Sequence, residues 1–210
     1  LRLKLIDVIS TTIDLSNYIS IKTPQEYKNI NKAQFEDGLA MTKFIIFFKS
    51  ENIESYDEFS LSLILENFRK KIINFFRNSF NYISAFDSNA SKIHYKPIKS
   101  KSLNAKNRMI YLIDSGAHYL EGTTDVTRVI GLKNILVTVK NAYTYILKSL
   151  IEIELRSFSY PLAASNLDFK IRNMLKLKKI VYGHGSGHGV GYFNDVHEKP
   201  PIISPHSKNF

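Results

Sequence analysis

Apolar residues recur along the first third of the chain at helical spacing. Tyr27, Ile30, Ala33, Ala40, Phe44 and Phe47 fall mostly at steps of three and four, which places side chains on one face of a helix. Ahead of them, Thr23-Pro24-Gln25-Glu26 has the capping-box pattern with proline at the first helical position. Together these predict an amphipathic helix from Thr23 to about Lys49. A second stripe of Leu61, Ile64, Leu65, Phe68, Ile72, Phe75 and Phe76 predicts a helix from about Tyr56 to Asn78, with that stripe in the core.

The period then changes. Residues 109 to 114 (MIYLID) form a short apolar run ending in an acid, as a buried strand does. Leu120-Glu121-Gly122 marks a turn, and Thr124 to Ile130 is again β-prone, so the stretch reads as a hairpin. Helical patterns return at Ala142 to Leu155 and Leu167 to Leu177. From Gly183 to Glu198 the chain reads GHGSGHGVGYFNDVHE. Glycine at every second position from 183 to 191 would cost a helix about 1 kcal/mol each, so this segment is not helical. The order of helices, strands, helices and strands predicts an α+β fold.

Composition adds bounds. With 210 residues, of which 44% are hydrophobic, the chain has enough apolar surface for a substantial core. The net charge of +10 would suit a nucleic-acid or membrane-surface partner. Its lysines, however, are scattered among Ile, Asn, Tyr and Phe instead of clustering in one motif, so neither partner is expected. The longest apolar runs, such as Phe44 to Phe48, are far short of the roughly 20 residues that span a bilayer. The absence of cysteine excludes disulfides and thiolate ligation and fits a reducing, cytoplasmic setting; any metal must be held by His, Asp or Glu.

Two segments carry candidate chemistry. In the hairpin, Asp125 is expected roughly opposite Gly116, and Asp114 lies two residues from Gly116 on the same face. Two carboxylates converging over a glycine favour a proton or a hard divalent cation between them. The alternative is a strand-capping Asp114 and a solvated Asp125. In the second segment, an extended backbone from 184 to 192 would put His184, Ser186, His188, Val190 and Tyr192 on one face. The segment has neither the Lys of a phosphate-binding loop nor the strand, turn and helix order such loops require.

Taken together, IDSGAHYLEGTTDVTR and GHGSGHGVGYFNDVHEKP resemble the catalytic domain of the Xaa-Pro aminopeptidases, metallopeptidases with a pita-bread fold. SAFDSNASKIHY, residues 84 to 95, carries the resemblance further, with the His-Tyr pair that the family also has. The resemblance covers about residues 21 to 210 and makes residues 1 to 20 the end of a connector from a preceding domain. It implies two divalent metal ions, usually manganese, held by two Asp, one His and two later Glu residues. On matching positions, Asp114 would bind one ion, Asp125 would bridge both, and His188 would bind the second. His94, His184 and His197 match the family's substrate-site histidines. The substrate implied is a peptide with proline in second position, and a homodimer stays open for the intact family member.

The chain departs from the family in two places. Val196-His197-Glu198-Lys199-Pro200 has lysine where the family has glycine, and the two ligand Glu motifs do not follow His188. The expectation is therefore a catalytic domain incomplete at its C-terminus, inactive alone and with apolar surface left uncovered. The competing reading is a pita-bread domain without catalysis that binds a peptide or protein.

Overall fold

The computed structural model describes residues 15–158 and 162–207; most of the expected connector, residues 1–14, lies outside this range. Ser16–Ser20 form a short helix, α1, packed on the last strand, β8 (Glu198–Ile203). Helix α2 (Pro24–Ser50) begins where expected: Thr23 accepts from the Glu26 amide while the Glu26 side chain accepts from the Thr23 amide. Helix α3 (Glu58–Lys70) has the same device, with Asp57 and Ser60 in the two roles.

The second helix is shorter than the pattern implied. It stops at Lys70, Asn74 takes a left-handed conformation at φ 72°, and Phe75–Asn78 forms a strand, β1. Ile72 to Phe76 is rich in β-branched and aromatic residues and fits either period, and pairing with a neighbouring strand decides it. Phe76 accordingly points outward, 60% exposed, instead of extending the helix's buried stripe.

Strand β3 (Ile110–Ser115) runs between β2 (Ile83–Phe86) and β6 (Val126–Gly131), all antiparallel. Its alternate residues divide the work. Tyr111, Ile113 and Ser115 are buried, whereas Ile110, Leu112 and Asp114 line the opposite, half-buried face. On the buried side, Met41, Phe44 and Phe48 of α2 and Leu61 and Leu65 of α3 close the main core, with the rings of Phe48 and Tyr111 stacked at 4.9 Å.

The hairpin changes sheet partway along. Beyond Gly116 it continues as β4 (Ala117–Tyr119) and β5 (Gly122–Thr123), which join β1 in a second sheet ordered β1-β4-β5. The pairs Ser115 with Val126 and His118 with Thr123 bracket the expected position of Asp125 opposite Gly116. Gly116 is required here, since a Cβ would lie 2.0 Å from the Thr124 carbonyl oxygen. Thr124 and Asp125 are outside both ladders, so the strand expected from 124 to 130 starts instead at Val126 and runs to Gly131.

Helices α4 (Val137–Glu154) and α5 (Ala164–Lys176) pack on each other, and α5 also packs on β8. Both start a few residues before the patterns that predicted them. Leu147, Leu150 and Ile151 of α4 are 42 to 48% exposed. The Gly-His segment is not helical, and only Gly187–Gly189, strand β7, is extended in a sheet. It pairs with β8 across an irregularity between His188 and Gly189. The expectation of one continuous face from His184 to Tyr192 is thus replaced by a three-residue strand.

Candidate metal centre

Asp114 ends its turn of the half-buried face of β3, and Thr127, its cross-strand partner on β6, donates a hydrogen bond from Oγ1 to Asp114 Oδ1 at 2.8 Å. Asp125 enters from the sheet break, and His188 enters from β7. Nε2 of His188 lies 3.5 Å from Oδ2 of Asp125, with both side chains mostly sheltered from solvent. A carbonyl oxygen only accepts, so the 2.8 Å contact from His188 Nδ1 to Gly189 O places the ring proton on Nδ1. That leaves Nε2 directed at a carboxylate, an arrangement completed by a proton or a cation between them.

The electrostatics point the same way. Burial raises the Asp114 pKa above the ordinary range, against the opposing pull of the Thr127 hydroxyl and the nearby His188. Asp125 is pushed up to about 6, first by burial and then by the charge of Asp114, with His188 and Arg69 working against the rise. Two half-buried carboxylates that raise one another's protonation cost are relieved by a shared positive charge.

The expected histidines divide. The His197 ring sits edge-on to His188 at 4.2 Å between centroids. Burial lowers its pKa, as do the neighbouring His188 and His94. His94 lies on a turn with φ 58°, exposed, and within electrostatic reach of His197. The exposed His184 instead rests its ring on Tyr182 at 4.4 Å, with its Nδ1 hydrogen-bonded to Gly185 O. The fold thus gathers Asp114, Asp125, His188, His197 and His94, and leaves His184 at the margin.

Several supporting residues had no signal in the motifs. Buried Glu58 holds the loop that carries His94: its carboxylate accepts from the Phe86 amide at 2.7 Å, the Leu103 amide at 3.0 Å and the Tyr95 hydroxyl at 2.6 Å. Arg172 binds Asp168 Oδ2 at 2.6 Å and donates to the Tyr182 and His184 carbonyls, while Ser186 donates to Asp168 Oδ1 at 2.6 Å. That network fastens the Gly-His segment to α5. The i,i+4 spacing of Asp168 and Arg172 was the one legible clue. Lys22 pairs with Glu198 at 2.5 Å, tying the entry to α2 to the strand that follows His197.

The donor chemistry suits a hard divalent ion, with two carboxylates and an imidazole whose free nitrogen points at one of them. Among the described residues, no group of three or more His, Asp or Glu side chains converges closely enough to hold a metal ion. Asp114, Asp125 and His188 therefore form a partial shell.

The sequence matches metallopeptidase family M24 over residues 28–209. The chain is 35% identical over 190 residues to Xaa-Pro aminopeptidase 1 of Dictyostelium discoideum, covering 88% of this chain and 30% of that protein. The X-prolyl aminopeptidase of Caenorhabditis elegans, described as a cytosolic enzyme with a di-nuclear active site, superposes with a TM-score of 0.87 at 31% identity, over 94% of this chain and 32% of that one. The prolidase of Pyrococcus horikoshii OT3 shares the fold at a TM-score of 0.77 and 23% identity, over 92% of this chain and 53% of that one. The architecture is thus the pita-bread fold expected from the motifs. The chain spans about 30% of the length of the Xaa-Pro aminopeptidases it matches.

Proposed function

Because the chain belongs to metallopeptidase family M24, we propose that it supplies the metal-binding hairpin and the substrate-side histidines of a metal-dependent Xaa-Pro aminopeptidase. The reaction is release of the N-terminal residue from peptides with proline second. The convergence of Asp114, Asp125, His188 and His197 from two distant segments carries this reading.

Asp114, Asp125 and His188 would supply three of the donors to two divalent ions, manganese by resemblance. When bound, such ions supply Lewis-acid polarisation of the scissile carbonyl and a nucleophile available at neutral pH. The chain's own residues do the remainder. Thr127 fixes one oxygen of Asp114, and the Gly189 carbonyl fixes the His188 tautomer. His197, its pKa lowered by burial and by His188 and His94, can take the proton that the attacking water gives up and return it to the proline nitrogen as the bond breaks. His94, beside it, can donate to the carbonyl oxygen. His184 would contact the peptide only at its edge. A cytoplasmic location accords with the cysteine-free composition.

Since the three donors form only a partial shell, the 210 residues by themselves are expected to bind manganese weakly and not to turn over an Xaa-Pro dipeptide. Calorimetric titration of the purified chain with manganese should give weak binding that Asp125→Ala and His188→Ala each abolish. Binding unaffected by both substitutions would sink the metallopeptidase reading. Turnover abolished by Asp125→Ala would overturn the inactivity alone.

The same open shell favours a second reading, a domain that binds peptide without metal. Undiminished binding of Xaa-Pro peptides in the presence of a chelator would select it.

A further inference from the structure

A cavity of about 410 Å³ is lined by His197 together with Arg77, Asn78, Ser79, His118 and Asp195. It is a built feature of the fold. Arg77 and His118 are cross-strand partners on β1 and β4, which fixes both at the cavity floor. The loop from 191 to 197 closes over them. Phe193 packs against Phe76 at 5.6 Å and His118 at 5.9 Å, and Thr123 Oγ1 donates to the Asn194 carbonyl.

The polar groups facing this space are divided by type. Asn78 Oδ1 already accepts from the Tyr82 hydroxyl at 3.0 Å, so its Nδ2 is the atom left to donate. Arg77 is exposed, and among the described residues no carboxylate lies within ion-pair distance of its guanidinium. Arg77 and Asn78 therefore make a donor end. Thr123 donates elsewhere, so its oxygen accepts from His118 Nδ1 at 2.9 Å, and the Nε2 of His118 is left as an acceptor beside the Asp195 carboxylate. A ligand that fits both ends carries a carboxylate and an N–H group a few ångströms apart, which describes an acidic residue within a peptide backbone.

We propose that this cavity is a specificity subsite for a substrate residue with a carboxylate side chain, and that Arg77 is the residue that selects it. The inference rests on the aminopeptidase reading only in taking a peptide as the ligand. The competing occupant is a basic residue held by Asp195.

The test is a set of NMR or calorimetric titrations of the manganese-supplemented chain with Ala-Pro-Ala, Glu-Pro-Ala, Ala-Pro-Glu, Lys-Pro-Ala and Ala-Pro-Lys. An exposed ion pair should make one of the glutamate peptides bind about three- to fivefold tighter than Ala-Pro-Ala. Arg77→Gln should erase that preference, bringing the glutamate peptide to the affinity of Ala-Pro-Ala, and because Arg77 is exposed the variant should unfold at the wild-type temperature. Equal affinities, a preference for lysine, or a glutamate preference that survives Arg77→Gln would overturn the subsite while leaving the aminopeptidase reading intact. Failure of every peptide to bind would remove both.

Discussion

His188 Nε2 and Asp125 Oδ2 face one another at 3.5 Å across the junction of two sheets, with the His188 proton committed to the Gly189 carbonyl on the far side of the ring. Without a cation, this relationship has a cost. The folded-state pKa of Asp125, about 6, lies above its ordinary 3.8, so folding favours the protonated acid. Stability is therefore greatest below 3.8 and declines as pH rises through 3.8 to 6, after which the full penalty remains. A shift of about two units corresponds to about 3 kcal/mol, and solvent access to the side chain reduces that to about 1–2 kcal/mol. In chelator, Asp125→Asn should stabilise the protein by that amount at pH 7 and by nothing near pH 3.5, as read from urea midpoints. A destabilised variant at pH 7 would contradict this account.

Asp37 and Arg69 form a fully buried pair, with Nε to Oδ1 at 2.6 Å and Nη2 to Oδ2 at 2.9 Å, and the Tyr119 hydroxyl also donates to Oδ1 at 2.7 Å. The triad fastens α2 and α3 to β4 just before the hairpin turn. Arg69→Met alone strands a buried carboxylate and should cost about 3–5 kcal/mol. The double variant Asp37→Leu with Arg69→Met should recover most of that loss in chemical denaturation. No recovery would mean that the pair contributes attraction beyond relief of the stranded charge.

Glu58 is the common acceptor for the loop from Phe86 to Leu103. Glu58→Ala leaves the Phe86 and Leu103 amides without their acceptor and should destabilise by about 2–4 kcal/mol. Hydrogen exchange should quicken at both amides well before the amides of α2 respond. Uniform quickening across the chain would show that Glu58 supports the whole fold instead of the His94 loop.

Arg172→Ala should free the Tyr182 and His184 carbonyls and loosen residues 182–186, raising protease cleavage there several-fold. Arg172→Lys should behave almost as badly, because a single ammonium cannot replace a planar fork serving Asp168 and two carbonyls at once. Full rescue by lysine would reduce the role to charge alone.

Much of this was readable in the chain. The start of α2 was legible because a capping box and an N1 proline are local chemistry, complete within four residues. The strand at 110–115 and the turn before Gly122 were legible because a short apolar run and turn residues report on neighbours a few positions away. Where two periods fit one stretch, as from Ile72 to Phe76, the sequence was ambiguous. The pairing of Arg77 with His118 resolved it in favour of a strand.

The motifs by themselves determined the family and singled out Asp114, Asp125 and His188 as candidate ligands, because those residues sit in long ordered strings that few folds would require. Only the tertiary structure decided which histidines join them. His197 reaches His188, whereas His184, four residues from it, turns to Tyr182, since the backbone is extended only from 187 to 189. The supporting roles of Glu58 and Arg77, and the reach of the Asp168–Arg172 pair beyond its own helix, were likewise not visible beforehand. Each acts on residues far away along the chain, and a hydrogen bond between distant segments leaves no periodicity for a sequence to show.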